Sequence, residues 1–328
     1  MAHTTETVQS QAQAIRLVRR GGRADAWFRR LTLLFAWVVL AVLGAIIVVL
    51  VKGGWPALST FGVHFFTSST WNPVTGVFGA ASSILGTVAT SVIAIVLAVP
   101  ISFGVALFVT EIAPRWLRRP IGIAVELLAG IPSIIYGIWG LFVFAPWFAD
   151  HVQEGLTASL GRIPVIGALF QGPPIGLGWA VAGIILAIMI IPFIAAVMRD
   201  VFEVVPVTLK ESAYAMGSTR WEVVRKIVWP YTRVAVIGGI MLGLGRALGE
   251  TMAVTFVVGN AHNLSASLFM PGNTIASTIA NEFTEATTPL YLSSLIALGL
   301  ILFAITFVVL ACAKLLLARV ERTAGASA

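Results

Sequence analysis

Six apolar runs, each roughly 20 residues or longer, constrain this chain more than any other feature. They lie at about 31–51, 82–110, 121–149, 176–198, 232–258 and 291–314. An α-helix of that length crosses a hydrocarbon core about 30 Å thick. Backbone in lipid must satisfy its own hydrogen bonds, and long runs without strict alternation do so as helices. The expectation is an all-α integral membrane protein of about six transmembrane helices. Composition agrees: 58% of the residues are hydrophobic and 11% are charged, too few charges to clothe a soluble fold. The first run is too long for a signal-peptide core and has no convincing small-residue cleavage site before Lys52, so it reads as an uncleaved span.

The net charge of +7 does not call for a nucleic-acid partner, because the basic residues flank the apolar runs instead of forming a soluble patch. Arg16, Arg19, Arg20, Arg23, Arg29 and Arg30 precede the first run. Arg115, Arg118 and Arg119 lie between the second and third, and Arg199, Lys210, Arg220, Arg225, Lys226 and Arg233 between the fourth and fifth. Lys314, Arg319 and Arg322 close the chain. The opposite side has Lys52 and Arg162, and Arg246 falls inside a run. That asymmetry puts both termini in the cytoplasm. The expected organisation is an N-terminal tail at 1–28, a six-helix domain at 29–318 with a basic loop at 199–231, and a short tail at 319–328, all in contact with membrane lipid. The outward loops at about 52–81, 150–175 and 259–290 hold Trp71, Pro73, Pro164, Pro173 and Pro174, as ordered irregular segments do. His3, His64, His151 and His262 lack metal-ligand spacing, and the single Cys312 excludes an internal disulfide.

The basic loop between the fourth and fifth runs is the most informative segment. Residues 208–216 suit a helix, Gly217 permits a sharp turn, and 219–228 can form a second helix that ends near Pro230. Such a helix–turn–helix can dock on a cytoplasmic partner, or its charges can rest on anionic headgroups.

The spacing Glu211-x-Ala213-x3-Gly217-x9-Ile227-x2-Pro230 resembles the EAA loop of binding-protein-dependent ABC importer permeases. Ser212 and Trp229 depart from the commonest form of that motif. The resemblance implies an ABC importer type I permease fold, in which Glu211, Ala213, Gly217, Ile227 and Pro230 seat a coupling helix on a separate ATPase. The chain carries no Gly-Lys-Ser/Thr phosphate loop of its own. Further stretches are similar to the phosphate-specific permeases, and to their C-type more than their A-type subunit. They are Trp71–Val74, Phe78–Ala80, Phe103–Glu111, Gly130–Gly140 and Gly245–Met252. What the resemblance implies is a phosphate importer of the bacterial cytoplasmic membrane. It would work with a second, A-type permease subunit, two cytoplasmic ATPase subunits that hold ATP and Mg, and an extracytoplasmic phosphate-binding protein. No cofactor is expected on this chain.

Arg246 falls about midway along the fifth run and Glu250 four residues on, which on a continuous helix puts both on one face. An arginine near the bilayer centre costs at least ~2.5 kcal/mol and should face the bundle interior with a partner. One reading makes Arg246 an anion-contacting residue of the substrate path, with Glu250 positioning it; the other is a permanent ion pair that locks helices. The same pair is implicated in phosphate passage in the family it resembles. Glu126 lies roughly 12 Å shallower, so it reads as an interfacial carboxylate. Pro132 and Ser133 should interrupt the third run, as a kink that lines the path or one that serves packing. Gly239, Gly243 and Ala247 recur every four residues, as in close helix packing.

Two other functions compete. An ion-coupled secondary anion carrier would also bury charges, but such carriers show internal repeats and several midplane carboxylates, and neither occurs here. A permease for sulfate or molybdate would share the loop. No metalloprotease motif and no nucleophile beside a base is present, so the chain is not expected to be an enzyme.

Overall fold

The computed structural model describes residues 2–164 and 166–325. Among these residues, six helical runs are long and apolar enough to cross a membrane. The chain divides into one compact unit through Gly53 and a second from Gly54 onward. Helix α1 spans Ala2–Phe61, and its membrane-length part begins at Asp25. The segment expected as a tail at 1–28 is therefore helical from Ala2. It is rich in Ala, Gln and Arg and has no proline, so nothing in it breaks the helix outright. In the first unit the apolar side chains of α1 are exposed, Trp37 and Val39 among them, as suits a helix whose solvent is lipid.

The second unit is organised around α5 (Trp179–Glu203). Ile185, Leu186, Ile190, Ile194, Met198 and Phe202 are all buried on it. Helix α2 (Ala81–Ile112) packs against α5 with a face of small residues, Ala94, Ala98, Ser102 and Ala106. A Cβ at Gly183 would lie 2.6 Å from the Ile93 side chain, and Ser102 donates its hydroxyl to the Ile191 carbonyl at 3.1 Å. Small residues let two backbones approach where lipid gives no hydrophobic drive between helices. Pro100 and Pro192 lie inside α2 and α5.

Two spans depart from their expected bounds. The run expected at 121–149 is two elements. Helix α3 (Arg115–Ala129) is amphipathic, and after a break at Gly130–Pro132 the span α4 runs Ser133–Arg162. Pro132 supplies no N–H and holds extended backbone at the start of α4. The fifth span, α7, covers Arg220–Leu248, not 232–258. Between α5 and α7 lies the short helix α6 (Val207–Ala215). Past the break at Gly249–Thr251 comes α8 (Met252–Val257), followed by α9 (Ile275–Glu282) and α10 (Pro289–Gly325). The tail expected at 319–328 is thus helical to Gly325; residues 326–328 lie outside the described residues.

Gly239 and Gly243 of α7 face α5. A Cβ on them would come within 2.8 Å of Val197 and 2.6 Å of Ile194, so the four-residue stripe is a packing seam. At the end opposite the basic loops, a two-stranded antiparallel hairpin pairs β1 (Trp71–Asn72) with β2 (Val77–Phe78). The Asn72 side chain turns it, accepting the Val74 N–H at 2.9 Å and the Thr75 N–H at 3.2 Å. Phe65, Phe78, Ile275, Tyr291, Leu295 and Leu298 form a second apolar cluster there.

Candidate functional site

The loop between α5 and α7 folds as a short helix, a glycine turn and a second helix. Pro206 holds extended backbone just before α6. At its other end Gly217 adopts φ +86°. The Ser218 N–H donates to the Ala213 carbonyl at 3.1 Å and the Gly217 N–H to the Tyr214 carbonyl at 2.9 Å. This bond pair closes helices on a left-handed residue, where a β-carbon is strained. A Cβ at Gly217 would meet nothing, so backbone conformation alone demands glycine. Thr219 then caps the next helix: its hydroxyl accepts the Glu222 N–H while the Glu222 carboxylate accepts the Thr219 N–H at 2.9 Å.

That second helix does not end near Pro230, as the sequence suggested; it continues through it as α7. The turn Val224–Val228 is π-type, with the Trp229 N–H donating to the Val224 carbonyl. The widened turn resets the ladder just where a proline lacks its donor and would clash with the carbonyl four residues back. Ala213, Val223 and Val228 point inward and are buried. Glu211, Gly217 and Pro230 are exposed and Ile227 is half-buried. Val207, Met216 and Trp221 stand out from the chain, Met216 being 81% exposed. Lys210 Nζ donates to Glu111 Oε1 at 2.5 Å, an ion pair that the sequence reading did not foresee.

Arg246 and Glu250 do not share a helix face. Arg246 is in the last turn of α7, and Glu250 lies beyond the helix end at Leu248. The Glu250 carboxylate accepts the Ala253 N–H of α8 at 3.3 Å. That places negative charge at a helix start, where free N–H groups favour it. Among the described residues no carboxylate pairs with Arg246. Its side chain is exposed on the surface of this chain, not turned into the chain's own core.

A second break precedes α4. The Leu128 carbonyl, which residue 132 of a continuous helix would bond, accepts the Tyr136 hydroxyl at 2.9 Å instead. It also accepts the Ile131 N–H at 3.3 Å, so the carbonyl that Pro132 cannot bond is satisfied within the protein. The structure therefore puts Tyr136 at the Pro132–Ser133 break and leaves Glu250 serving α8, apart from Arg246. Tyr136 carried no periodicity that marked it. Glu126 accepts from Arg199 at 2.7 Å, apart from Arg246 as expected. The two line a cavity of about 280 Å³ with Arg118, Arg119, Gly122 and Glu203.

The sequence model for the binding-protein-dependent transport system inner membrane component matches residues 99–322, more than half of the chain. The chain belongs to this family. It is 59% identical over 309 residues to the "Phosphate transport system permease protein PstC" of Mesorhizobium japonicum, covering 94% of each chain. It is 58% identical to the protein of that name from Pasteurella multocida, covering 91% of this chain and 93% of that one. The fold resembles a chain of the inward-facing MetNI methionine ABC transporter, with TM-score 0.53 and 16% identity over 73% of this chain and 94% of that one. It also resembles a chain of a bacterial ABC transporter that imports alginate, with TM-score 0.52 and 17% identity over 86% and 96%. The family and the six apolar helices make this a multi-pass inner-membrane protein with the ABC importer permease fold.

Proposed function

We propose that this chain is a transmembrane permease subunit of an ATP-driven importer of inorganic phosphate, sharing its path with a second permease subunit. The observation that carries the reading is Arg246: an arginine in the last turn of an apolar span, exposed on one face of the chain where that helix breaks, in a chain of this family. A charge that is costly in lipid and faces out of its own chain needs another subunit or an aqueous path in front of it. A guanidinium there offers paired hydrogen bonds to phosphate oxygens. The relatives that bear the phosphate name, at 58–59% identity over nearly the whole chain, support phosphate as the cargo.

The basic loops lie in the cytoplasm with both termini. There the α6–Gly217–α7 unit seats on one of two ATPase subunits through Val207, Met216 and Trp221, with ATP and Mg held by those partners. The opposite end receives an extracytoplasmic phosphate-binding protein. ATP binding draws the ATPases together, the coupling loops follow as rigid pieces, and the permease halves open outward; hydrolysis resets them. Cells lacking this subunit, with and without the intact gene restored, test the reading by uptake of labelled phosphate. Uptake that needs ATP and persists with excess sulfate and with protonophore is expected. Block by sulfate would move the cargo to another oxyanion, and loss with the proton gradient while ATP stays high would make the chain part of an ion-coupled carrier.

A further inference from the structure

Helix α6 is the part of the chain on which an ATPase would push, and the backbone hangs it between only two spans, α5 and α7. Packing adds little, because Ala213 is its one buried residue. Among the described residues, one side-chain hydrogen bond joins α6 to any other element: Lys210 Nζ to Glu111 Oε1 at 2.5 Å. Glu111 belongs to the π-type last turn of α2, Phe108–Ile112. The pair thus reaches a third span that chain continuity does not. Both side chains are largely out of solvent, 16% exposed for Lys210 and 8% for Glu111.

Taking two charges out of water offsets most of their attraction, so a pair of this kind contributes little net stability. What it does fix is position, because either charge left alone there would be strongly disfavoured. Its far end is held firmly. The Phe103 ring of α2 packs on Phe202 and Trp229 at 5.6 and 5.7 Å, and Arg118 Nε donates to the Ala113 carbonyl at 2.9 Å. From there α2 runs along the buried face of α5.

We infer that the Lys210–Glu111 ion pair is the strut that carries movement of α6 into α2, so that both are positioning residues for coupling ATP hydrolysis to transport. The inference rests on the permease reading above. The test uses the complete transporter in liposomes with its binding protein, reading assembly, ATP hydrolysis and phosphate moved per ATP. Glu111→Gln with Lys210→Met removes both charges and nearly keeps the volume, leaving no lone buried charge. This double variant should assemble and hydrolyse ATP as the wild type does, while phosphate moved per ATP falls about tenfold. Each single change should cost coupling as much as the double or more, and the exchange Glu111→Lys with Lys210→Glu should recover most of it. A double variant with wild-type coupling overturns the strut. A double variant that fails to assemble also overturns it, since the pair would then serve folding alone. A wild-type transporter that moves no phosphate with ATP would instead sink the permease reading.

Discussion

A break in the backbone at Gly249 separates Arg246 from Glu250, two charges that four-residue spacing puts side by side. Glu250 gives its carboxylate to the start of α8, so the five guanidinium donors of Arg246 are not committed to a carboxylate among the described residues. Arg246→Gln keeps a planar donor but loses the charge and the fork. Charge-assisted bonds of this type are worth about 1.5–3 kcal/mol, so phosphate uptake should fall at least about tenfold, with the transporter still assembled and its ATPase active. Loss of assembly, read by co-purification of the subunits, would show that Arg246 serves packing. The sequence showed Arg246 as a costly charge in an apolar run. The helix break was not legible, because 232–258 is mostly apolar on both sides of it and hydropathy does not show where a helix stops.

Elements meet here through glycine for two separate reasons. Gly243 is buried in the α7–α5 seam, where a Cβ would stand 2.6 Å from Ile194. Gly243→Leu overpacks it, and such changes cost about 1–3 kcal/mol. The expected result is a lower melting temperature of the purified transporter; an unchanged one would mean that the seam gives way. Gly217 has open space around it but φ +86°, and a β-branched residue there is strained by about 1–3 kcal/mol. Gly217→Val should tilt α6 on its partner, leaving ATP hydrolysis high while phosphate moved per ATP falls. The anion preference, read by competition with sulfate, should stay as it was. The turn at Gly217 was legible from its residue, and the stripe Gly239–Gly243–Ala247 from its period. Continuity through Pro230 was not, since the π-type turn that permits it leaves no mark in the sequence.

Across the whole molecule, the end opposite the α6–α7 loop is held by a polar knot. The Glu282 carboxylate accepts from the Tyr291 hydroxyl at 2.8 Å and from Trp71 Nε1, and lies 2.7 Å from His262 Nε2. Asn273 joins His262 to Ser83 of α2 at 2.8 Å each. Burial pushes the Glu282 carboxyl up, but the bonds from His262, Tyr291 and Trp71 outweigh it and hold the group below its usual range. A depressed carboxyl stabilises the fold fully above its unfolded value of about 4.3, and that contribution disappears as pH falls through the lower folded value. Glu282→Gln should therefore lower the thermal midpoint at neutral pH, with the gap to wild type closing below about pH 4. A gap that stays constant with pH would mean that the carboxylate charge stabilises nothing. The knot draws on β1, α2, the segment before α9, α9 and α10, and no local pattern announced it. The membrane class, the count of spans, the family and the glycine turn of the α6–α7 loop were legible along the chain, because each rests on local composition or on fixed spacing. Only the tertiary structure decided where the third and fifth helices break, that Arg246 faces out of its own chain, and that Lys210 holds Glu111. Those outcomes depend on which backbone groups and charges meet across elements far apart in the chain, and periodicity along a single element carries no record of them.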